Sequence, residues 1–313
     1  MKAIILKDFG AVDQLEQIDL PVPEISESEV LIQTKAISIN PIDVKTRAGR
    51  GIAPLIKDEM PAVLGWDISG IVVQVGGSVS SFKVGDEVFG MIAFPKLGKA
   101  YAEYVAAAAD QLVLKPESVS HVEAAPATVA GLTALQALTQ FVKIKTGDRV
   151  LIHAASGGVG HYAVQLAKYL GAYVVGTSSA ANRDFVLSLG ADEHIDYKNK
   201  PFEEVTSDID FVLDAIGGEY IDRSLKVMKD GGTIVCIPSG MNELVAEKAK
   251  AANKHGYVMR AKSSAEDMQV IADLLAEGRL RSHIDKIYPL EEMSAAHQHI
   301  ESGRTVGKIV LTM

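Results

Sequence analysis

Residues 149–160 decide the fold and read RVLIHAASGGVG. The apolar run Val150–Ile152 predicts a buried strand, and the small residues after it predict a tight loop. Gly157 and Gly160 stand at the second and third glycine positions of a GxGxxG fingerprint, whereas Ala155 stands at the first. In such a loop the second glycine lets backbone approach a pyrophosphate, and the third lets helix and strand pack closely. The stretch therefore predicts a dinucleotide-binding turn.

The segments around this loop strengthen the interpretation. Residues 159–170 carry apolar side chains at helical spacing, which predicts a helix whose first N–H groups bind an anion. Further buried-strand runs start at Tyr173, Phe211 and Thr233, with helical patterns between them. Alternating strands and helices predict right-handed βαβ units and a parallel sheet. A tight turn in some other α/β protein is the alternative, and the alternation favours nucleotide binding over it.

The end of the second strand of this domain indicates which dinucleotide is bound. An NAD-preferring domain carries an acidic residue there, roughly 20 residues past the glycines. This chain has Ser178, Ser179 and Arg183 at that place and no carboxylate before Asp184. Two hydroxyls and a guanidinium suit a 2′-phosphate, although the serines could also cap the following helix. We therefore expect NADPH as the cofactor.

Length, charge and composition set further bounds. The chain has 313 residues, enough for two domains, and 48% of them are hydrophobic, enough for a large core. A net charge of −9 argues against nucleic acid or an anionic membrane as partner, so an anionic cofactor must meet local positive charge, for which Lys45, Arg183 and Lys308 are candidates. The single cysteine, Cys236, lies in an apolar run and is expected to be a buried thiol. No signal peptide or membrane-spanning run is recognisable, so we expect a cytoplasmic protein.

The chain is expected to contain two domains. Short strands separated by glycine turns dominate residues 1–120 and predict an all-β module, a partly open barrel. Residues 121–263 carry the strand–helix alternation of the nucleotide-binding domain. Residues 264–313 hold two helical patterns and a last strand, Lys308–Thr312, which has no helix to pair with. We expect that strand to return to the first module and complete it.

Six motifs together resemble the medium-chain dehydrogenase/reductases, and most of all their zinc-independent quinone oxidoreductase branch, which includes zeta-crystallin-like proteins. The resemblance runs the full length and rests on SINPID at 38–43, FKVGDEV at 82–88, AGLTA at 130–134, AASGGVG at 154–160 with AVQLA at 163–167, LGAD at 189–192 and GKIVL at 307–311. It implies an α/β protein with a Rossmann doubly wound parallel sheet plus a GroES-like β-barrel catalytic domain. It also implies an active site in the cleft between the domains.

The resemblance also implies roles for individual residues. The family's stretch matching Asn40–Lys45 lies beside the nicotinamide, so Asn40 and Lys45 are the catalytic candidates. The alternatives are that Asn40 satisfies backbone in its Asn-Pro turn and that Lys45 is solvated. Tyr197 matches an adenosine-side contact in the family, and packing is its alternative. The full set of expected cofactor-binding residues is Ser156, Gly157, Gly158, Val159, Gly160, Ser178, Ser179, Arg183, Tyr197, Ile216 and Lys308.

Departures from the superfamily's zinc pattern predict that no metal is bound. Zinc alcohol dehydrogenases carry an early Cys ligand and a Gly-His-Glu motif, whereas this chain has Asn40 and Asp43 in the first region and Gly65-Trp66-Asp67 in the second. A structural zinc lobe needs four clustered cysteines, and the chain has one. Without a Lewis acid, simple alcohol oxidation is disfavoured.

Hydride transfer from NADPH to a quinone or an activated enone is the activity that this pattern favours. Two alternatives stay open. One is a 2-enoyl thioester reductase, and the absence of a Tyr at 40–45 argues against it. The other is a non-enzymatic NADPH-binding structural or regulatory protein. A small-molecule acceptor and a possible homodimer are the expected partners.

Overall fold

The computed structural model describes residues 1–313, and the chain divides into two compact units. The first unit comprises Met1–Leu132 and Lys262–Met313, and the second comprises Thr133–Ala261. The expected boundary at residue 120 differs from this division, because residues 121–132 belong to the first unit. Ala125 packs there against Ala36 and Val310 in a small buried cluster.

The chain forms sixteen strands and ten α-helices. The strands are β1 Lys2–Leu6, β2 Leu15–Asp19, β3 Glu29–Ile39, β4 Ala62–Val63, β5 Asp67–Val75, β6 Glu87–Met91, β7 Tyr104–Ala108, β8 Leu112–Leu114, β9 Arg149–Ile152, β10 Tyr173–Ser178, β11 Glu193–Asp196, β12 Ile209–Asp214, β13 Met228–Cys236, β14 His255–Val258, β15 Ile284–Pro289 and β16 Lys308–Thr312. The helices are α1 Pro41–Arg47, α2 Ala53–Ile56, α3 His121–Ala124, α4 Val129–Thr139, α5 Gly160–Tyr169, α6 Arg183–Ser188, α7 Glu219–Val227, α8 Val245–Ala251, α9 Ala265–Ala276 and α10 Met293–Glu301.

The first unit is built from two sheets around one core. The smaller sheet has the order β2-β1-β4, and the larger has the order β15-β16-β3-β5-β6-β8, with β7 also paired to β3. Strand β3 is long enough to pair with β7 through its first half and with β16 through its second half. The expected return of the last strand is confirmed, because β16 pairs antiparallel with β3 over Ile309–Thr312.

The core of the first unit explains why these strands form. Their alternating apolar residues point into one cluster, which includes Ile32, Ile37 and Ile68 from the large sheet and Leu6 from the small one. Trp66 lies fully buried in the same cluster, and its indole Nε1 donates to the Lys96 carbonyl at 2.7 Å. The interpretation of Trp66 as a core residue rather than a substrate platform therefore agrees with the structure.

The second unit is a six-stranded parallel sheet with the order β11-β10-β9-β12-β13-β14. The order reverses between β9 and β12, as in doubly wound nucleotide-binding sheets, whose ligands bind outside the carboxyl ends of the strands at this reversal. The loop after β9 therefore lies where the fold places a ligand. This confirms the parallel sheet predicted from the strand–helix alternation.

Some elements were not predicted. Helix α1 has only seven residues. Strand β11 has four residues, of which only Ile195 is buried, and strand β14 has four residues, none of them buried. None of these segments carries an apolar run long enough to show a period. No helix in the chain has both the length and the apolar character needed to cross a membrane.

Candidate functional site

The loop between β9 and α5 is shaped by small residues. Ala154 adopts a left-handed backbone conformation with φ 51°, and its carbonyl accepts from the Gly157 amide at 2.8 Å. The amides of Gly158 and Val159 make no hydrogen bond within the protein, as is usual for the first turn of a helix. Donors of this kind, at a helix N-terminus beside a switch point, fit a pyrophosphate.

The two glycines of the fingerprint serve different purposes. A Cβ on Gly160 would lie 2.1 Å from the Ala154 carbonyl oxygen and 2.8 Å from the Ala155 Cα, so the turn itself excludes a side chain there. A Cβ on Gly157 would lie 3.2 Å from the same oxygen, which is tight but leaves room. Gly160 therefore serves the packing of helix on strand, and Gly157 leaves open space beside the loop.

Ser178 does not have the role that its position predicted. Only 2% of the residue is exposed. Its hydroxyl donates to the Ser179 carbonyl at 3.1 Å and lies 2.8 Å from His194 Nε2. Because the hydroxyl is buried and has two partners, Ser178 does not offer it to a phosphate, and its expected direct contact is corrected to a supporting one.

The other residues at the carboxyl end of β10 are accessible. The Arg183 side chain is 61% exposed and lies 3.2 Å from the Asp184 carboxylate. Tyr197 is 44% exposed, and its amide donates to the Ser178 carbonyl at 3.3 Å. Ser179 is partly exposed at the start of a short 3-10 turn and makes no side-chain cap. A phosphate at this strand end would meet the Arg183 guanidinium first.

Two side chains hold the loops of this sheet edge together. Asn182 Nδ2 donates to Ser156 Oγ at 3.0 Å, which joins the loop after β10 to the loop after β9. On the other side of the switch point, the buried carboxylate of Asp214 accepts from the amides of Ile216 and Gly217 at 2.8 and 2.9 Å. The Ile216 amide is thus engaged within the protein, and the residue as a whole is partly exposed.

Lys308 lies inside the first unit rather than on a surface. Only 3% of the residue is exposed, and its ammonium donates to the Ile39 carbonyl at 3.0 Å, to Asn40 Oδ1 and to Asp67 Oδ2 at 3.4 Å. An ammonium has three donors, and all three are used. The expectation that Lys308 binds the cofactor is therefore wrong for this structure. Burial lowers the pKa of Lys308, and the Asp67 and Asp43 carboxylates oppose that shift.

Asn40 and Asp67 complete this buried cluster. The Asn40 carboxamide donates to Asp67 Oδ2 at 2.9 Å while its oxygen accepts from Lys308, and the residue is 4% exposed. The other Asp67 oxygen accepts from Thr128 Oγ1 and, at 2.8 Å, from the Val129 amide. Three distant segments therefore meet on one carboxylate. The Asn40 side chain is used structurally, but its partners are the Asp67 and Lys308 side chains rather than the backbone of its own Asn-Pro turn.

Asp43 heads a second chain of buried polar groups. Its carboxylate accepts from the Asn40 amide and from the Tyr101 hydroxyl, both at 2.8 Å, and that hydroxyl lies 3.1 Å from His297 Nε2. Burial raises the pKa of Asp43 to about 7, because the Tyr101 and backbone hydrogen bonds offset only part of the desolvation. Burial, together with Arg47, lowers the pKa of His297 to about 3. These groups fix the start of α1.

Lys45 projects from the helix that this cluster holds. The residue is partly buried, and burial together with the nearby Arg50 lowers its pKa. Of the two expected catalytic residues, Lys45 is the one outside the buried network.

Sequence reasoning assigned no role in the site to Asp67, Asp43 or His194. A signal for Asp67 was present, since it is a carboxylate immediately before the largely apolar run ISGIVV at 68–73. His194 carried no signal, because its partner Ser178 is on the neighbouring strand. Cys236 is buried as predicted, with its thiol 3.3 Å from Asp214 Oδ2. No group of three or more His, Cys, Asp or Glu side chains is arranged to hold a metal ion.

Two family models match the chain. The model for the alcohol dehydrogenase GroES-like domain matches residues 26–117, and the model for zinc-binding dehydrogenase matches residues 189–311. The first match lies in the first unit, and the second covers the later strands of the parallel sheet and continues into the C-terminal segment.

Curated relatives and solved structures match along the full length. A chloroplastic quinone-oxidoreductase homolog of Spinacia oleracea is 36% identical over 96% of this chain and 95% of its own. An NADPH-dependent alkenal/one oxidoreductase of Arabidopsis thaliana, also chloroplastic, is 32% identical over 99% of this chain and 79% of its own. The structure of the quinone oxidoreductase from Coxiella burnetii superposes with a TM-score of 0.96 at 39% identity, covering 100% of this chain and 99% of that one.

Proposed function

Because the chain belongs to the quinone-oxidoreductase branch of the medium-chain dehydrogenase/reductases, we propose that it transfers hydride from NADPH to quinones or activated enones. The observation that carries the cofactor part is the carboxyl end of β10. Arg183 stands exposed there, and the strand end lacks the acidic residue that would hold an NAD ribose. The names of the relatives, a quinone oxidoreductase and an alkenal/one oxidoreductase, support the acceptor class.

In this proposal the loop residues bind and orient the cofactor. The amides of Gly158 and Val159 receive the pyrophosphate, Gly157 leaves room for it, and Arg183 pairs with the 2′-phosphate. Bound NADPH supplies the hydride, and the acceptor takes a proton from water to complete its reduction. Asn40 acts as a positioning residue through the buried cluster, and Lys45 is the candidate for stabilising negative charge on the acceptor oxygen.

We propose that this activity needs no metal. The proposal rests on the missing Cys and His ligands and on an acceptor that is already electrophilic. Quinones and enones accept hydride without a Lewis acid, whereas oxidation of an alcohol needs a Lewis acid or a general base to remove the hydroxyl proton.

A substrate panel tests the function. Purified protein is expected to oxidise NADPH with 9,10-phenanthrenequinone and with an activated enone, and to leave saturated ketones and alcohols unchanged. NADH is expected to serve poorly, and a chelator is expected to change nothing, with zinc well below one per chain by elemental analysis. Activity on saturated ketones that is lost with the chelator would overturn the proposal.

The same panel separates the two alternatives. Turnover of an enoyl-CoA faster than of free enones would favour a 2-enoyl thioester reductase. Tight NADPH binding without turnover of any acceptor would favour a binding protein with a structural or regulatory role.

We further propose that the protein is a cytoplasmic homodimer that pairs through β14. This strand is the outer strand of the parallel sheet, hydrogen-bonded on one side only, to β13. Its Tyr257 and Val258 are exposed, as are Met241 and Leu244 of the same unit. An unpaired apolar edge invites another strand, and a second copy related by a twofold axis presents the same edge.

A further inference from the structure

His194 lies at the strand end where the adenosine part of a cofactor would bind. Strand β11 pairs parallel with β10, and the His194 ring reaches along it to the hydroxyl of Ser178, the last residue of β10. That residue marks the place at which nucleotide-binding sheets of this type recognise the ribose. Arg183, at the start of α6, is close enough to influence the charge of His194.

The hydrogen bonds of Ser178 fix how the ring is used. We assign the single hydroxyl hydrogen of Ser178 to the Ser179 carbonyl at 3.1 Å, which makes the hydroxyl oxygen the acceptor from His194 Nε2, 2.8 Å away. The remaining ring nitrogen, Nδ1, has no partner within the protein, and the residue is only partly buried. A neutral ring with hydrogen on Nε2 has an unprotonated Nδ1, which can take a proton.

The groups around His194 favour the neutral ring in the free protein, and a bound phosphate would alter that balance. Burial lowers its pKa from the ordinary value, and the guanidinium of Arg183 adds to this, whereas the carboxylates of Asp196 on its own strand and Asp184 on α6 oppose it. Binding of a phosphate dianion beside Arg183 would compensate that guanidinium and favour the charged ring.

We propose that His194 is a second residue that recognises the 2′-phosphate of NADPH. The ring takes up one proton from water on Nδ1 and donates it as a hydrogen bond to a phosphate oxygen, while Nε2 keeps its bond to Ser178. Ser178 then acts as the positioning residue of this ring rather than as a phosphate ligand. The inference rests on the proposed use of NADPH and adds to it a pH dependence specific to the 2′-phosphate.

A pair of test ligands isolates the contribution of the 2′-phosphate to binding. Adenosine 2′,5′-bisphosphate carries the 2′-phosphate and 5′-AMP does not, so the pair isolates the contact without any catalysis. Calorimetric titration between pH 6.5 and 8.5 would measure both affinities for the wild-type protein, for His194→Gln and for the control His255→Gln. His255 is exposed on β14, at the opposite edge of the same sheet. Glutamine keeps a donor for Ser178 but does not titrate.

The expected result is a total loss of bisphosphate affinity of up to about tenfold as the pH rises through the pKa of the ring in the complex, absent for 5′-AMP. This slope should disappear in His194→Gln and remain in His255→Gln. NMR titration of the His194 ring should show its pKa rising by about one unit with the bisphosphate and unchanged with 5′-AMP. Equal ring pKa values with the two nucleotides, or an unchanged slope in His194→Gln, would overturn the inference.

A third variant separates this inference from the proposed cofactor. One outcome is that Arg183→Ala weakens bisphosphate binding while His194→Gln changes neither the bisphosphate affinity nor its slope with pH. In that case the proposed use of NADPH stands and the proposed role of His194 is wrong. If the bisphosphate binds the wild-type protein no more tightly than 5′-AMP, both are wrong.

Discussion

Lys308 shows at the scale of one residue how this fold tolerates a buried cation. Removing an ammonium from water costs several kcal/mol, and the cost is offset only when charge and hydrogen bonds are supplied together. Asp67 supplies the charge, and the Ile39 carbonyl and the Asn40 carboxamide supply the remaining acceptors. The ion pair is therefore a fixed junction between β16, β5 and the start of α1.

Lys308→Met should destabilise the first unit by about 3–5 kcal/mol, because it leaves Asp67 buried without its cation. Adding Asp67→Asn should restore part of that loss, since the second change removes the uncompensated charge and Asn40 can turn its amide to match. Trp66 is the single tryptophan and lies buried in the first unit, so its fluorescence during urea unfolding reports on this unit.

Lys7→Met is the matched control for that prediction. Lys7 forms an exposed ion pair with Glu16 at 3.3 Å in the same unit, with side chains about half exposed. Exposed pairs contribute up to about 1 kcal/mol, so the control should remain close to wild type. A double variant no more stable than Lys308→Met alone would contradict the assigned pairing.

Sequence could identify Lys308 as an available cation but not its partner. Asp67 and Lys308 are 241 residues apart, and no local pattern connects them. The Ser178 hydroxyl was misassigned for the same reason, since His194 lies on another strand. The constraint on Gly160 lies within a few neighbours, because its Cβ would meet the backbone of Ala154 and Ala155, and a local sequence pattern can indicate it.

At the scale of elements, the β9–loop–α5 turn makes the two glycines experimentally separable. Gly160→Ala should destabilise the second unit by about 1–3 kcal/mol, because the new Cβ would meet backbone at 2.1 Å. Gly157→Ala should leave the fold nearly intact. It should weaken the binding of NADPH, since the Cβ of the new alanine enters the space beside the loop. Thermal unfolding by circular dichroism and calorimetric titration with NADPH would measure the two effects.

Gly131→Ala is the control for those two variants. Its Cβ would meet Ile271 at 3.5 Å, an ordinary contact, and alanine favours a helix interior such as α4. We expect unchanged NADPH affinity and equal or slightly higher stability. Normal stability of Gly160→Ala would show that the close approach of loop and strand is not required.

The same turn shows which elements a sequence can predict. Strands β9, β10, β12 and β13 are buried and read as apolar runs, so they were predicted, as was the helix after the glycines. The edge strands β11 and β14 bury little and were missed. The alternation predicts a parallel sheet, whereas the strand order and the edges become visible only in three dimensions.

At the scale of the whole molecule, the free edge of β14 predicts the oligomeric state. Val258→Lys places a charge on the exposed edge, where Val258 is 51% exposed, and should convert a dimer to a monomer with the fold retained. Light scattering coupled to size exclusion would measure the mass of each form. Val84→Lys, a charge at an exposed valine of the first unit, is the control and should remain dimeric. A wild-type monomer would refute the proposal directly.

The path of the chain through the two units has a consequence for synthesis on the ribosome. Residues 133–261 form the second unit without interruption, whereas the first unit needs β16, which lies between β15 and β3 in its larger sheet. The part translated first must therefore wait, incomplete, until residues 308–312 have emerged, while the part translated second can already fold. During that interval β3 has one edge without its partner, which makes the nascent first unit the natural client of a chaperone.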